Sequence, residues 1–273
     1  MGFNPSGVEN LLELYDADIV HIHYWGDCDE PWYNAVYQLV KGRGCRVIEN
    51  INTPVAPYID EDIARYIYVS DYVKNTFGAK DGKSQTIYPG SDFELFSNDT
   101  IEDVSDDCIG MVYRLENDKL NLDSIKPFIE VVKRRPETKV IIVGGGSNQQ
   151  AYESICKDEG VFDSFNFTGY VEYETLPYWY GKMSIFVAPV WKESFGQVSP
   201  FAMSMGIPVV GYDIGALSEI NGRPDLLAEY GDSDALAEIV IDLLNDREQR
   251  LEIGNYNQKR AKDNFSLGAM TSG

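Results

Sequence analysis

Cations are scarce in this chain: 23 Lys and Arg stand against 44 Asp and Glu, for a net charge of −21. The shortage is deepest in residues 1–107, with 7 cations against 20 acids, and milder in 108–273, with 16 against 24. That balance argues against nucleic acid as a partner, because neutralising phosphates needs a basic face. It also gives anionic lipid little to hold, at least through the first half. Histidine is scarcer still, with only His21 and His23. The four cysteines, Cys28, Cys45, Cys108 and Cys156, form no CxxC pair. Their spread argues against a zinc site and a disulfide framework, and points to a reducing, cytoplasmic setting. No apolar run approaches the roughly 20 residues of a membrane span. The N-terminus has no basic segment leading into an apolar one. GxGxxG, the Walker GxxxxGK[ST] and the GxSxG elbow are all missing, so ordinary dinucleotide, P-loop and nucleophile-elbow sites lack their signatures. Internal repeats and low-complexity tracts are also absent.

What is present is a globular composition, 44% hydrophobic over 273 residues, enough for about two domains. Short apolar runs alternate with helical periods, which indicates parallel α/β sheets. Asn4-Pro5-Ser6 starts a helix with Val8, Leu11, Leu12 and Tyr15 on one face. Strands follow at 18–23, 45–48, 65–69 and 86–88. Pro31 opens a helix between the first two, striped by Ala35, Val36, Leu39 and Val40 and ended by Gly42. The chain opens on a helix, where such a domain normally opens on a strand. The polar, acidic stretch 97–107 is expected as a linker between a domain at 1–96 and another at 108–273. The second series has strands at 108–113, 139–143, 164–168 and 185–189, and a helix at 122–135 with Ile125, Phe128, Ile129 and Val132 inward. Asp232-Ser233 caps a later helix, and a last polar helix runs to about Asn264.

Four groups of residues can carry chemistry. His21 and His23 point the same way from a strand, near its carboxyl end, where open α/β sheets place ligands. Arg114 and Lys119 follow the first strand of the second series. Two cations across a turn can converge on one diphosphate, Arg as a planar fork and Lys as a point charge. They can equally be solvated surface charges. Gly144-Gly145-Gly146 follows KVIIV and serves either a close approach to a ligand or simply a tight turn. Glu193 precedes Phe195-Gly196, where a glycine turn and a following helix suit an anion and a carboxylate can accept from sugar hydroxyls.

Taken in this order, these segments resemble the family-4 (GT4) retaining glycosyltransferases of GT-B fold. The match runs through DIVHIHYW, YPGSDFELF, the Arg114/Lys119 pair, Gly144–Gly146, Phe167-Thr168-Gly169 and Phe186–Pro189. It continues through Glu193-Ser194-Phe195-Gly196, Gly206-Ile207-Pro208-Val209-Val210 and Glu219, covering roughly residues 16–265. The resemblance implies two Rossmann-like parallel-sheet α/β domains, the first abbreviated. By that resemblance the family's N-terminal strand with its glycine-rich loop would lie before Met1 and its final crossover helix is not expected here, which leaves a truncated chain, a natural short form or a chain completed by a partner. By the same resemblance the protein transfers a sugar from a nucleoside diphosphate to an acceptor hydroxyl of a glycan, lipid or small molecule, with retention and without a metal or cofactor. Arg114 and Lys119 would hold the diphosphate. Gly144, Gly145, Tyr170, Glu193, Ser194, Phe195, Gly196, Gln197, Val198 and Phe201 would complete the donor site, and His23 would serve catalysis from the first domain. One position departs from the family: the second glutamate, which grips the donor ribose, is replaced by Phe201, whose ring accepts no hydrogen bond from ribose hydroxyls. The alternatives are a non-catalytic glycosyltransferase-like subunit and, more distantly, a nucleotide-sugar epimerase, which would call for more acid/base groups than two histidines provide.

Overall fold

The computed structural model describes residues 5–26, 31–80, 82–97 and 107–273. Its contacts divide the chain into two units, Met1–Tyr88 and Pro89–Gly273. In the first, α1 (Pro5–Tyr15), β1 (Ile19–Tyr24), α2 (Pro31–Gly42), β2 (Arg46–Ile51), β3 (Ile63–Tyr68), α3 (Asp71–Phe77) and β4 (Ser84–Thr86) follow one another. The four strands lie side by side in chain order, all parallel. β2 runs on past the expected end because Asn50 and Ile51 still pair with Ile67 and Tyr68. Ser70 caps α3, its hydroxyl accepting from the Val73 N–H at 3.2 Å.

Burial alternates along these strands. Ile22 and Tyr24 of β1 and Val47, Glu49 and Ile51 of β2 are buried, while His21 and His23 are exposed and Asn50 is half-buried. The α2 stripe differs from expectation. Tyr33, Tyr37 and Val40 are its buried positions, while Ala35, Val36 and Leu39 are only half-buried. The tyrosines bury more area, and Tyr33 also satisfies its hydroxyl on Glu49. On α1, Leu11 and Tyr15 were expected to face inward and are exposed instead. The helix lies along α2 through Arg43, which bridges Glu9 and Glu13 at 2.8 Å each.

The second unit holds β5 (Cys108–Val112), α4 (Lys126–Arg134), β6 (Lys139–Val143), α5 (Gln149–Asp158), β7 (Phe165–Gly169), α6 (Leu176–Tyr180) and β8 (Ile185–Ala188). It continues with α7 (Val198–Ser204), β9 (Val209–Tyr212), α8 (Leu217–Asn221), β10 (Leu227–Ala228), α9 (Ser233–Asn245), α10 (Arg247–Phe265) and α11 (Leu267–Ser272). The sheet is parallel, in the order β10-β9-β8-β5-β6-β7. Every residue of β5, β8 and β9 is buried, as expected of strands covered on both faces. The expected helix at 122–135 is split. A 3-10 turn, capped by Asn121, leads into α4, whose Pro127 is tolerated only in a first turn. Ile125, Phe128, Ile129 and Val132 are buried as expected.

Residues 89–96 belong to this second unit, so the division falls between Tyr88 and Pro89 rather than after residue 96. Phe96 is the reason. Its ring is fully buried and stacks on Phe201, with centroids 4.0 Å apart, and Tyr173 and Tyr180 meet it edge-on. Of the expected linker, residues 98–106 lie outside the described residues. The chain also continues past the helix end expected near Asn264. Ser266 caps α11, and Gly90 comes so close that a Cβ there would meet Leu267 Cα at 2.9 Å. Among the described residues, no helix is long and apolar enough to cross a membrane.

Candidate functional site

Parallel strands bring their carboxyl ends to one edge, and the loops after β5, β6 and β8 therefore meet. The loop after β5 carries Tyr113, Arg114, Asp118 and Lys119. The loop after β8 carries Trp191 to Gln197. Two hydrogen bonds join them: Trp191 N–H donates to Lys119 O at 3.0 Å, and its indole N–H to Asn117 O at 3.2 Å. With the backbones fixed, Lys119 Nζ reaches Glu193 Oε1 at 2.8 Å. Glu193 is 2% exposed, and the same oxygen accepts from Phe195 N–H at 3.3 Å. Arg114 stays largely in solvent, 68% exposed, and pairs with Asp118 at 2.7 Å.

Glycines make this approach possible. Gly196 has φ 69°, and a Cβ there would lie 2.2 Å from Glu193 Oε2. Gly215, with φ 58°, passes the Glu193 carbonyl so closely that a Cβ would lie 2.1 Å from it. Both the backbone conformation and the space demand glycine. The cluster after β6 does related work. A Cβ on Gly144 would strike the Tyr113 carbonyl at 2.0 Å, and Leu115 N–H donates to Gly145 O at 2.9 Å. Gly144 and Gly145 thus set the loop that carries Arg114 and Lys119. Tyr170 lies over Gly145, where a Cβ would meet its ring at 2.8 Å, and is itself 71% exposed.

A cavity of about 200 Å³ opens between the two loops, lined by Tyr113, Arg114, Asp118, Lys119, Gly196, Gln197 and Val198. The structure thus brings together Arg114, Lys119, Glu193, Gly196, Gln197 and Val198, with Ser194 half-buried beside them. Phe195 turns inward and packs edge-on against Phe265 at 5.4 Å. Phe201 is 6% exposed and occupied by the Phe96 stack, so it does not line this cavity. Tyr113 and Asp118 are residues that sequence reasoning missed. Tyr113 is buried, and burial, with the Glu193 charge second, holds its phenol well above the usual range. A tyrosine at the end of a buried strand gives no signal in sequence that separates it from core. A larger cavity of about 880 Å³ lies elsewhere in this unit, between residues 91–94 and α10. It opens widely and mixes Asp92 and Glu94 with Lys259 and Lys262, without a glycine turn converging on it.

In the first unit, His21 and His23 share a face as expected, their rings stacked at 4.8 Å. Burial, and then the neighbouring His21, lower the His23 pKa below the ordinary imidazole value. Among the described residues, no group of three His, Cys, Asp or Glu side chains is placed to hold a metal ion.

Residues 92–260, most of the second unit with its carboxyl-edge site, match the family model for glycosyl transferases group 1. The chain belongs to that family. Its relatives include the capsular polysaccharide biosynthesis glycosyltransferase CapM of Staphylococcus aureus, 30% identical over 58% of this chain and 42% of that protein. The lipopolysaccharide core biosynthesis mannosyltransferase LpsB of Rhizobium meliloti is 29% identical over 59% of this chain and 47% of that protein. The chain therefore spans about half the length of these curated relatives. Solved structures agree in fold. Sucrose-phosphate synthase from Thermosynechococcus elongatus superposes with a TM-score of 0.81 at 20% identity, over 98% of this chain and 75% of that one. HepE from Anabaena, solved with UDP, gives 0.79 at 17%, over 97% and 79%. The two parallel-sheet α/β units of this group 1 chain match those of GT-B glycosyltransferases.

Proposed function

We propose that the chain is a retaining glycosyltransferase that moves a sugar from a nucleoside diphosphate to an acceptor hydroxyl and uses no metal. The observation that carries this is the Lys119–Glu193 pair beside Arg114 at the glycine-lined cavity. An ammonium has three donors, and Glu193 occupies only one. Arg114 engages Asp118 through Nη2 and leaves the rest of its fork to solvent. Both cations can therefore bind diphosphate oxygens. Departure of the diphosphate builds negative charge there, and cations already in place stabilise it. Glu193 is turned to Lys119 and the Phe195 N–H rather than standing free as a nucleophile, which supports attack and departure on one face of the sugar. UDP in the HepE structure supports a nucleoside diphosphate donor. The products named for CapM and LpsB, capsular polysaccharide and lipopolysaccharide core, support a polyhydroxylated acceptor. His23 would meet that acceptor side, and a cytoplasmic setting fits the cysteine pattern.

A panel of UDP-, GDP- and ADP-sugars, read by donor hydrolysis and transfer, tests this. Arg114→Ala and Lys119→Ala should each weaken donor binding by about 1.5–3 kcal/mol through lost charge-assisted contacts. Absence of binding and turnover with every donor, or unchanged affinity in both variants, would refute it.

A further inference from the structure

The exposed face of the first sheet carries four amide and imidazole side chains in an unbroken line. In the parallel register His21 lies opposite Ile48 and His23 opposite Asn50, and Asn52 follows two residues after Asn50, on the same side of the pleat. His21 Nε2 lies 3.3 Å from Asn50 Oδ1. Asn50 Nδ2 donates to Asn52 Oδ1 at 2.7 Å. Asn52 Nδ2 lies 3.1 Å from His23 Nδ1.

We infer that Asn50 and Asn52 are positioning residues that lock His23 in its Nε2–H form, making it a hydrogen-bond donor rather than a proton acceptor at the carboxyl end of β1. An amide nitrogen only donates and an amide oxygen only accepts. Asn52 spends its oxygen on Asn50, so it can offer His23 only a hydrogen. His23 Nδ1 must then be the unprotonated nitrogen, and the ring proton sits on Nε2. The same logic runs back to His21, whose Nε2–H donates to Asn50. The line has one direction, and protonating His23 at Nδ1 would break its last bond. Burial and the stacked His21 act the same way, since both disfavour a cationic His23. The His23 Nε2–H itself makes no hydrogen bond among the described residues and remains available to a ligand. Only its use rests on the proposed transfer: there it would give a hydrogen bond to a substrate oxygen and would not take the proton of the attacking hydroxyl. The tautomer stands without that function.

Only two histidines occur, so long-range proton–nitrogen correlation spectra of the labelled chain resolve both rings, and His21→Gln assigns them. His23 should show a protonated Nε2 and a bare Nδ1. Asn52→Asp places a carboxylate at Nδ1. It should move the proton to that nitrogen and shift the His23 titration midpoint upward, which a merely structural asparagine would not do. A wild-type His23 protonated at Nδ1, the result if both amides ran the opposite way, would overturn the inference. So would an Asn52→Asp spectrum with neither tautomer nor midpoint changed. The spectra are taken without donor, so a failed transfer assay leaves them standing, and the reverse also holds.

Discussion

Among the described residues, each unit buries one glutamate almost completely, and the two are held in opposite ways. Glu49, 0% exposed on β2, accepts from the Tyr33 hydroxyl and from Tyr58 N–H at 2.9 Å. Those partners are neutral, so burial dominates and pushes the carboxyl up to about 7. Glu193, 2% exposed at the carboxyl edge of the second sheet, meets the Lys119 ammonium. A neutral setting ties a loop and a helix to a strand and resists the charge. A cationic setting compensates the charge and positions the cation in turn. The contrast separates an architectural carboxylate from one built into the candidate site.

The largest effect should come from breaking the compensated pair. Lys119→Met leaves the buried Glu193 carboxyl without its cation, which should cost up to about 4 kcal/mol of stability. Lys119→Met combined with Glu193→Gln should recover most of it in urea unfolding near neutral pH. Equal loss in the single and double variants would mean the pair does not hold these loops. A slightly smaller effect should appear at Glu49, with the opposite sign. The native state raises its pKa from 4.5 to about 7, so folding favours the protonated form. Stability is then fully present below about pH 4.5, falls as pH rises toward 7, and carries the full penalty above that. Glu49→Gln removes a penalty of about 3 kcal/mol at pH 8 and changes little at pH 4. Unfolding both proteins across that range checks the difference. A constant difference would show that Glu49 does not titrate there.

The site was more legible in sequence than the first unit's interior. Spacing placed Arg114, Lys119 and Glu193 at carboxyl ends of parallel strands, and the loops there do bring Lys119 onto Glu193. Arg114 pairs with Asp118, four residues on, a partner that the sequence pattern did not single out among the nearby carboxylates. Phe201 was expected at the donor and lies in the aromatic cluster. α7 is seven residues long, and Ser199 through Met203 are all buried, so no period distinguishes an inward from an outward side. The interior of the first unit was hidden for a related reason. Its helix α2 buries Tyr33 and Tyr37 beside Val40 and leaves Ala35, Val36 and Leu39 half-buried, and Tyr33 is accommodated because its hydroxyl has a partner. That partner, Glu49, reads in sequence as an ordinary strand-end acid.

The smallest change, Tyr33→Phe, sharpens the comparison from the neutral side. It deletes one donor to Glu49 and keeps the ring, so the packing with Tyr24 and Tyr58 at 4.8 and 5.4 Å should survive. Loss of a single hydrogen bond to a buried group costs about 1–2 kcal/mol. The Tyr33 hydroxyl is the larger of the two hydrogen bonds that pull the Glu49 pKa down against burial. Without it, the carboxyl should rise beyond about 7, and the pH at which the Glu49 penalty levels off should rise with it. Stability curves of Tyr33→Phe, with and without Glu49→Gln, read that pH directly. An unmoved plateau would show that burial alone sets the titration. The phenol would then be a passive neighbour, and the two glutamates would differ only in whether a cation is present.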